Sequence, residues 1–275
     1  MEQPKLEAVL PLSPLQEGML FHAGYQPGEV DAYTVQVAFD LRGPLDAGRM
    51  HKACQAVVDR HQGLRAAFLN RRDGTVVQAI SGPVAVPWRL ADVSDAAGVA
   101  QSRLVRGLLA GERARRFDPS VAPLIRFTLV RQGPDRHVLA ISCHHILLDG
   151  WSLGLVVAEL FQLYGDRGDE LAPPVPVSGY LTWLAGQDGN AARRAWREAL
   201  ADLEQPTLLA GGAASAAGLP DAIVHFLSEE GTAALVSFAR GRGLTLSSCV
   251  QAAWGLLLAS LTGRGDVVFG TTVAV

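Results

Sequence analysis

The sequence predicts a mixed α/β fold, because strand patterns and helical patterns follow one another along most of the chain. Residues 33–41 alternate apolar and polar side chains, which is typical of a half-buried strand. Residues 46–61 instead place apolar side chains at helical spacing. The apolar runs 124–131 and 137–145 are separated by Gly-Pro-Asp-Arg, and this arrangement predicts a β-hairpin.

Further elements are expected on both sides of this hairpin. The segment Ser13-Pro-Leu-Gln16 has the residues of a capping box, so the first helix should begin there. A charged helix is expected over 99–116, with Leu104, Leu108 and Leu109 facing inward. The other expected strands and helices are strands at 64–69, 75–80, 222–228 and 266–273, and helices at 151–164, 179–186, 190–203, 231–241 and 246–261.

Two irregular stretches divide the later part of the chain. Residues 166–178 are rich in proline and charge and are expected to form a linker, whereas the low-complexity stretch 205–220 is expected to be a loop. The 275 residues suffice for one large domain or two lobes. Because the sequence stops inside an apolar strand, we expect a fragment that ends before a second lobe is complete.

The bulk composition narrows the function classes. The net charge is −3 and the pI is about 6.2, with no basic patch, so a nucleic-acid partner is not expected. The N-terminus lacks the charged-then-apolar pattern of a signal peptide, and the longest apolar helical stretch is too short to cross a bilayer. Three dispersed cysteines are typical of reduced thiols. We therefore expect a cytoplasmic protein without a membrane partner.

The stretch His-His-Ile-Leu-Leu-Asp-Gly at 144–150 is the strongest candidate for chemistry. It lies where an apolar strand ends and a helix is expected to begin. Side chains alternate across a strand, so His144 and His145 should point to opposite sides, and periodicity does not choose between them. Asp149 could cap the helix, accept from an arginine or orient an imidazole. Gly150 permits a backbone angle that other residues resist.

Four interpretations of this stretch are open on the residues alone. A histidine could serve as a general base in acyl transfer. His145 and Asp149 could bind a metal, although no further ligand cluster accompanies them. Gly-Trp-Ser-Leu-Gly at 150–154 matches the nucleophile elbow of a hydrolase with Ser152, but the later His225 lies inside a strand-like segment. The histidines could also be ordinary polar groups at a strand end.

Three segments together resemble a known family. The segment 144–152 resembles the HHxxxDG motif of nonribosomal peptide synthetase condensation domains, and 12–22 (LSPLQEGMLFH) resembles the opening motif of that family. Residues 60–68 (RHQGLRAAF) resemble its RHExLRTxF motif, with Gln62 and Ala66 replacing glutamate and threonine. The resemblance covers nearly all of the chain.

This resemblance implies a specific architecture. The expected fold is a two-layer α+β lobe like chloramphenicol acetyltransferase, plus part of a second similar lobe. Residues 1–175 would form the N-terminal lobe that carries the motif. Residues 176–275 would begin an incomplete C-terminal lobe, and the family places its active site in a tunnel between the two lobes.

The resemblance also implies the reaction and the residue roles. The amine of an acceptor aminoacyl thioester attacks the carbonyl of a donor aminoacyl or peptidyl thioester, and an amide forms. The catalytic residue of the family corresponds to His145. His144 is expected to support it, and Asp149 to be held by an arginine, for which Arg65 is one candidate. Gly150 is expected to let the turn close and to border the reacting carbonyl.

The resemblance implies that no cofactor or metal is bound directly, because the substrates arrive on phosphopantetheine arms. The expected partners are the donor and acceptor peptidyl carrier proteins and a neighbouring adenylation domain. An epimerization domain of the same superfamily and a non-catalytic recruitment platform are the alternatives. Neither the two amino acids nor the stereochemistry of the donor follows from the sequence.

Overall fold

Two β-sheets and a set of α-helices make up the computed structural model, which describes residues 6–25, 31–209 and 223–272. The strands are β1 (Leu6–Leu10), β2 (Thr34–Arg42), β3 (Ala66–Asn70), β4 (Val76–Ser81), β5 (Trp88–Asp92), β6 (Ile125–Gly133) and β7 (Arg136–His144). The helices are α1 (Pro14–Tyr25), α2 (Ala47–Arg60), α3 (Gly98–Ala114), α4 (Gly150–Tyr164), α5 (Val177–Ala185), α6 (Gly189–Ala199), α7 (Glu229–Gly241) and α8 (Leu246–Thr262).

The larger sheet has the strand order β2-β7-β6-β5 and carries the histidine motif at the end of β7. The β6–β7 hairpin is antiparallel, as the sequence predicts, and β2 pairs antiparallel with β7 along its full length. The register places Thr34 opposite His144. Strand β5 joins the other edge in parallel with β6. The last residue of β7 therefore lies beside the first residue of β2.

Helices cover both faces of this sheet. On one face, α2 and α4 pack on alternate residues of β6 and β7, and Phe127, Leu139 and Ile141 are almost wholly buried there. On the other face, Val105 of α3 packs against Val130 and Val138. A fully buried side chain of this size contributes about 1.5–3 kcal/mol relative to an exposed one. The two covered faces thus hold the end of β7 in a rigid setting.

A second, three-stranded sheet lies beside α1, with the order β1-β4-β3 and antiparallel pairing throughout. The α1 helix begins as predicted, because the Ser13 N–H donates to Gln16 Oε1 (2.9 Å) and the Gln16 N–H donates to Ser13 Oγ (3.3 Å). Ile146, just after β7, packs in the same core as this sheet. The histidine motif therefore bridges the cores of the two sheets.

The chain divides into two compact units, Met1–Gln187 and Asp188–Val275. Both sheets and α1–α5 belong to the first unit. The second unit contains α6, α7 and α8 among its described residues. Within it, Arg264 Nη1 donates to the Pro206 carbonyl (2.9 Å) and the Val268 N–H donates to Thr207 Oγ1 (2.8 Å). These contacts tie the segment after α8 to the segment after α6.

The predicted helices and the hairpin are confirmed, but several details are wrong. Strands β1 and β5 were not expected. Leu104 is half exposed, and Val105 takes the inward position because it shares a helix face with Leu108 and Leu109. Residues 223–228 and 266–272 form no strand, since no described residue pairs with them. Much of the loop expected at 205–220 lies outside the described residues.

No single helix in the described part of the chain is long and apolar enough to span a membrane. Helices α7 and α8 meet that length and composition test only when taken together, and the pair is bent by 98°.

Candidate active site

The motif begins at the last residue of β7, and backbone hydrogen bonds fix it there. The His144 N–H donates to the Leu124 carbonyl (2.9 Å), and the His145 N–H donates to the Tyr33 carbonyl (2.8 Å). The chain then turns, with the Leu147 N–H donating to the His144 carbonyl (3.1 Å). Strands on both sides of β7 thus hold the two histidine backbones.

His144 is wholly buried, and its ring proton can be located from its contacts. The Ile146 N–H donates to His144 Nδ1 (3.1 Å), so Nδ1 carries no proton and the ring proton lies on Nε2. That nitrogen lies 3.3 Å from Asp31 Oδ2. The N–H direction is not aligned with the oxygen, so the contact is electrostatic rather than a linear hydrogen bond. His144 therefore faces inward, toward a carboxylate.

Asp31 is a site residue that the sequence reasoning missed. Its carboxylate is buried, with Oδ1 accepting from the Tyr33 N–H (2.9 Å) and Oδ2 facing His144. Burial raises the pKa of Asp31, but the contacts with His144 and Tyr33 outweigh it and hold that pKa below its usual value. The signal available in the sequence was that Asp31 lies two residues before Tyr33, at the start of the predicted strand 33–41. An aspartate whose side chain accepts from the backbone N–H two residues later is a common turn pattern.

His145 points the other way and is only half buried. Its Nδ1 lies 2.6 Å from the Leu148 carbonyl, which can only accept, so Nδ1 carries the proton. In the neutral imidazole, Nε2 then has a lone pair. An imidazole whose tautomer is fixed by a backbone carbonyl is the form that a general base requires. The two histidines thus hold opposite tautomers.

Asp149 caps α4, which is the first of its three expected roles. Its Oδ1 accepts from the Ser152 N–H (2.7 Å). This backbone hydrogen bond is the main reason that the pKa of Asp149 is lowered, and the nearby His145 contributes electrostatically. The carboxylate therefore stabilises the first turn of the helix that follows the motif.

The expected pairing of Arg65 with Asp149 is wrong. Arg65 is buried, its Nη1 lies 3.0 Å from Glu7 Oε2, and it also donates to the Ser81 carbonyl. The Ser81 hydroxyl returns a hydrogen bond to the Arg65 carbonyl (2.9 Å). The reason is position, because Arg65 directly precedes β3 and its side chain is used inside the three-stranded sheet.

Gly150 does not use the backbone freedom that the sequence suggested. It is the first residue of α4 and is not among the glycines with positive φ. A Cβ built at Gly150 would meet no heavy atom within 4 Å, so the glycine leaves open space beside the first turn of the helix. Its contribution is the absence of a side chain rather than an unusual backbone angle.

The hydrolase interpretation is not supported by the geometry at Ser152. A nucleophile elbow holds its serine on a sharp, strained turn between a strand and a helix. Ser152 instead lies in the first turn of α4, and Asp166 is the non-glycine residue with positive φ in the described ranges. His225 belongs to the second unit and lies outside any strand or helix. Among described residues, no group of three His, Cys, Asp or Glu side chains is placed to hold a metal.

A groove of about 930 Å³ is lined by Leu147, Leu148 and Ser152, although neither histidine of the motif lines it. On another side, Glu159 Oε2 of α4 accepts from Arg60 Nε (2.8 Å) and contacts His61 Nε2 (2.7 Å). Arg60 and His61 at the end of α2 therefore connect that helix to α4.

Comparison with known proteins identifies the family. A family model described as the condensation domain matches residues 6–275. The chain belongs to the condensation domain family. This condensation domain is 38% identical over 273 residues to one of the linear gramicidin synthase proteins of Brevibacillus parabrevis, a match that covers 95% of the chain and 4% of that protein. It is 33% identical over 277 residues to bacitracin synthase 3 of Bacillus licheniformis, a match that covers 98% of this chain and 4% of that protein.

Solved structures confirm the expected fold. The first condensation domain of the calcium-dependent antibiotic synthetase, solved in complex with a substrate analogue, matches with a TM-score of 0.76 at 22% identity. The match covers 96% of this chain and 64% of that one. The SgcC5 protein of Streptomyces globisporus matches with a TM-score of 0.73 at 24% identity. This match covers 94% of the present chain and 61% of the SgcC5 chain. This condensation domain chain spans less than two thirds of these structures and a small part of the curated relatives.

Proposed function

We propose that this condensation domain catalyses amide formation between two carrier-bound thioesters, with His145 handling the proton. The observation that carries the proposal is the fixed tautomer of His145. Its Nδ1 is held 2.6 Å from the Leu148 carbonyl, which leaves Nε2 as a base at the end of β7. The family match over 6–275 supports this type of reaction.

The chemical step needs no reactant beyond the two thioesters. The lone pair of the acceptor amine forms the new bond to the donor carbonyl carbon and gives a tetrahedral intermediate. Collapse of that intermediate breaks the C–S bond, and the thiolate leaves. An α-amine has a pKa of about 7.7–8.0, so part of it is already neutral near pH 7. His145 Nε2 therefore orients the amine, accepts its proton as the bond forms and returns that proton to the thiolate.

The other motif residues support His145 from different directions. His144 fills the space behind it and connects the turn to Asp31. Asp149 caps α4 and so sets where the helix leaves the turn. We assign Gly150 to the side of the reacting carbonyl, because its missing side chain leaves open space there. Arg65 supports the site indirectly by joining β1, β3 and β4.

We propose that residues 1–175 form the N-terminal lobe and residues 176–275 the beginning of a C-terminal lobe. The division into compact units after Gln187 supports two bodies, with α5 kept in the first. The sheet that ends at the histidine motif lies wholly in the first unit.

The proposed partners are donor and acceptor peptidyl carrier proteins and a neighbouring adenylation domain. The substrates would arrive on phosphopantetheine arms rather than on a cofactor bound by this chain. A solved four-domain nonribosomal peptide synthetase, bound to AMP and glycine, contains a region of the same fold and supports a multidomain setting. We also propose a cytoplasmic location, supported by the free thiols of Cys54, Cys143 and Cys249.

The test is a condensation assay with one loaded donor carrier and one loaded acceptor carrier, using the full-length protein that contains this chain. The expected product is the amide joined to the acceptor carrier, and Ser152→Ala should form it at the wild-type rate. Racemised donor without amide would instead identify an epimerase. Free acid that disappears with Ser152→Ala would identify a hydrolase, and unchanged substrates would point to a recruitment platform.

A further inference from the structure

One carboxylate connects the backbone of His145 to the ring of His144. Asp31 Oδ1 accepts from the Tyr33 N–H (2.9 Å), and the Tyr33 carbonyl accepts from the His145 N–H (2.8 Å). Asp31 Oδ2 lies 3.3 Å from His144 Nε2, and His144 is bonded to His145 along the chain. Together these contacts form a closed circuit from Asp31 through Tyr33, His145 and His144 back to Asp31.

Both oxygens of Asp31 face hydrogen-bond donors, and this requires a carboxylate. An asparagine offers one acceptor oxygen and one amide nitrogen that donates. Whichever way its amide turned, a donor would face either the Tyr33 N–H or the protonated His144 Nε2. A change of the His144 tautomer would relieve the second conflict, but it would place a proton on Nδ1 against the Ile146 N–H. The Nε2-protonated form of His144 is therefore held by two groups, the Ile146 N–H at Nδ1 and the Asp31 carboxylate at Nε2.

Asp31 is also costly to keep buried. It is 9% exposed, and an ionised carboxylate in such a place is unfavourable unless its partners compensate for the lost water. The Tyr33 ring lies beside that of His144, with centroids 6.0 Å apart, and the Tyr33 hydroxyl contacts His22 Nδ1 at 2.8 Å. Tyr33 therefore connects the surroundings of the Asp31 carboxylate to His22 of α1.

We propose that Asp31 is a positioning residue for the condensation reaction, because it fixes the tautomer of His144 and the backbone position of His145. Asp31 does not touch the reacting atoms. It acts through His144 on one side and through Tyr33 on the other. This proposal rests on the proposed function, since positioning matters for catalysis only if His145 is the catalytic residue.

The test combines a spectroscopic signature with an activity, in the full-length protein that contains this chain. The protein is labelled with ¹⁵N at histidine, and the protonation site of each imidazole is read by NMR for wild type and Asp31→Asn. The turnover number and the KM for the acceptor carrier are measured in parallel. We expect His144 to lose its single Nε2-protonated form and the turnover number to fall about 10- to 100-fold, by analogy with the outer partners that orient metal-binding histidines. KM should stay unchanged.

Asp92→Asn is the matched control. Asp92 Oδ1 also accepts from a backbone N–H two residues later, that of Ser94 (2.9 Å), and its Oδ2 lies 3.6 Å from Arg131 Nη1. It therefore has the same kind of turn at the far end of the sheet, but its neighbour is a guanidinium and its side chain is half exposed. Neither the His144 signal nor the turnover number should change in this variant.

A second variant separates positioning from folding. Asp31→Ser keeps an acceptor for the Tyr33 N–H and removes the oxygen that faces His144, so it should show the same spectral change and the same loss of rate. A wild-type turnover number with an unchanged His144 signal in either variant overturns the proposal, and so does failure of both variants to fold. If the wild-type protein forms no amide, the proposed function fails, whereas the NMR arm still decides whether Asp31 holds the His144 tautomer.

Discussion

Two buried carboxylates near the larger sheet, Asp31 before β2 and Glu112 in α3, differ in their partners. Asp31 faces one histidine beside the motif. Glu112, 2% exposed at the end of α3, contacts three arginines: Arg89 at 2.8 Å, Arg115 at 3.0 Å and Arg126 at 3.4 Å. The first carboxylate faces an imidazole, with the charge of Arg116 also acting on it, whereas the second contacts three guanidinium groups.

The Glu112 cluster has the features of a structural ion pair. Arg126 is buried, donates to the Glu112 carbonyl (2.6 Å) and to that of Arg115, and stacks on the Phe117 ring with its guanidinium carbon 3.9 Å from the centroid. Burial lowers the pKa of Arg126 to about 10, which still leaves it charged at neutral pH. Nothing in this cluster can accept a substrate proton. Of the two carboxylates, Asp31 is thus the one that contacts a residue of the histidine motif.

The largest effect on stability is expected from Glu112→Gln. The substitution leaves the Arg126 guanidinium buried without its countercharge, so the free energy of unfolding should fall by about 3–5 kcal/mol. The exposed arginines of the cluster should contribute little to that loss. Urea denaturation measures the effect, with Glu198→Gln on exposed α6 as the control. The rate of amide formation per folded molecule should not change, and a large loss of rate would place Glu112 in the site.

Acid should destabilise the protein through the same carboxylates. The pKa of Glu112 is lowered from its model-compound value of 4.5, and those of Asp31 and Asp149 from 3.8, so their folded forms hold protons less well than the unfolded chain. Their stabilising effect is present above those values and is lost as the pH falls through the lower folded pKa values. Urea midpoints should therefore decrease steadily below about pH 4.5.

Glu112→Gln should weaken this pH dependence, because the variant lacks one of the titrating groups. Its urea midpoint should fall less between pH 5 and pH 3 (roughly the carboxyl range) than that of the wild type. Parallel curves for the two proteins would show that Glu112 does not have a lowered pKa. A midpoint that stays constant over this range in the wild type would contradict the whole set of carboxylate assignments.

The smallest effect is expected at Asp149, where helix capping and an arginine partner make opposite predictions. Asp149→Ala removes the acceptor for the Ser152 N–H and should cost about 1 kcal/mol of unfolding free energy. Asp149→Asn keeps an acceptor and should stay within a few tenths of a kcal/mol of the wild type, since asparagine caps about as well as aspartate. An Asn variant as unstable as the Ala variant would restore the ion-pair interpretation.

The sequence predicted those elements whose signals are local. The capping box at Ser13, the helix 46–61 and the hairpin that ends at His144 all follow from spacing within a few residues, and the structure confirms them. Strands β1 and β5 were missed because each is recognised by its pairing with a strand distant in sequence, β1 with β4 and β5 with β6. The prediction of a strand at 266–273 is wrong for the described residues 266–272. Their apolar pattern is typical of a strand, but no described strand pairs with them.

The site was predictable only in part, because its supporting contacts are distant in sequence. The motif drew attention to both histidines, but the choice of His145 came from family resemblance. Asp31 lies before β2 and reaches His144 only through the pairing of β2 with β7. Arg65 was paired with the wrong carboxylate, since sequence does not show that its side chain enters the sheet with Glu7. The opposite tautomers of the two histidines required the positions of backbone groups.

The central claim is that the proton is handled at His145, and one measurement tests it directly. The single-turnover rate of amide formation is compared between wild type, His145→Ala and Ser152→Ala, each in the full-length protein and each checked for its unfolding free energy. The account predicts a loss of about 10²- to 10⁴-fold for His145→Ala and no loss for Ser152→Ala. Amide formation at the wild-type rate by a folded His145→Ala protein would contradict it.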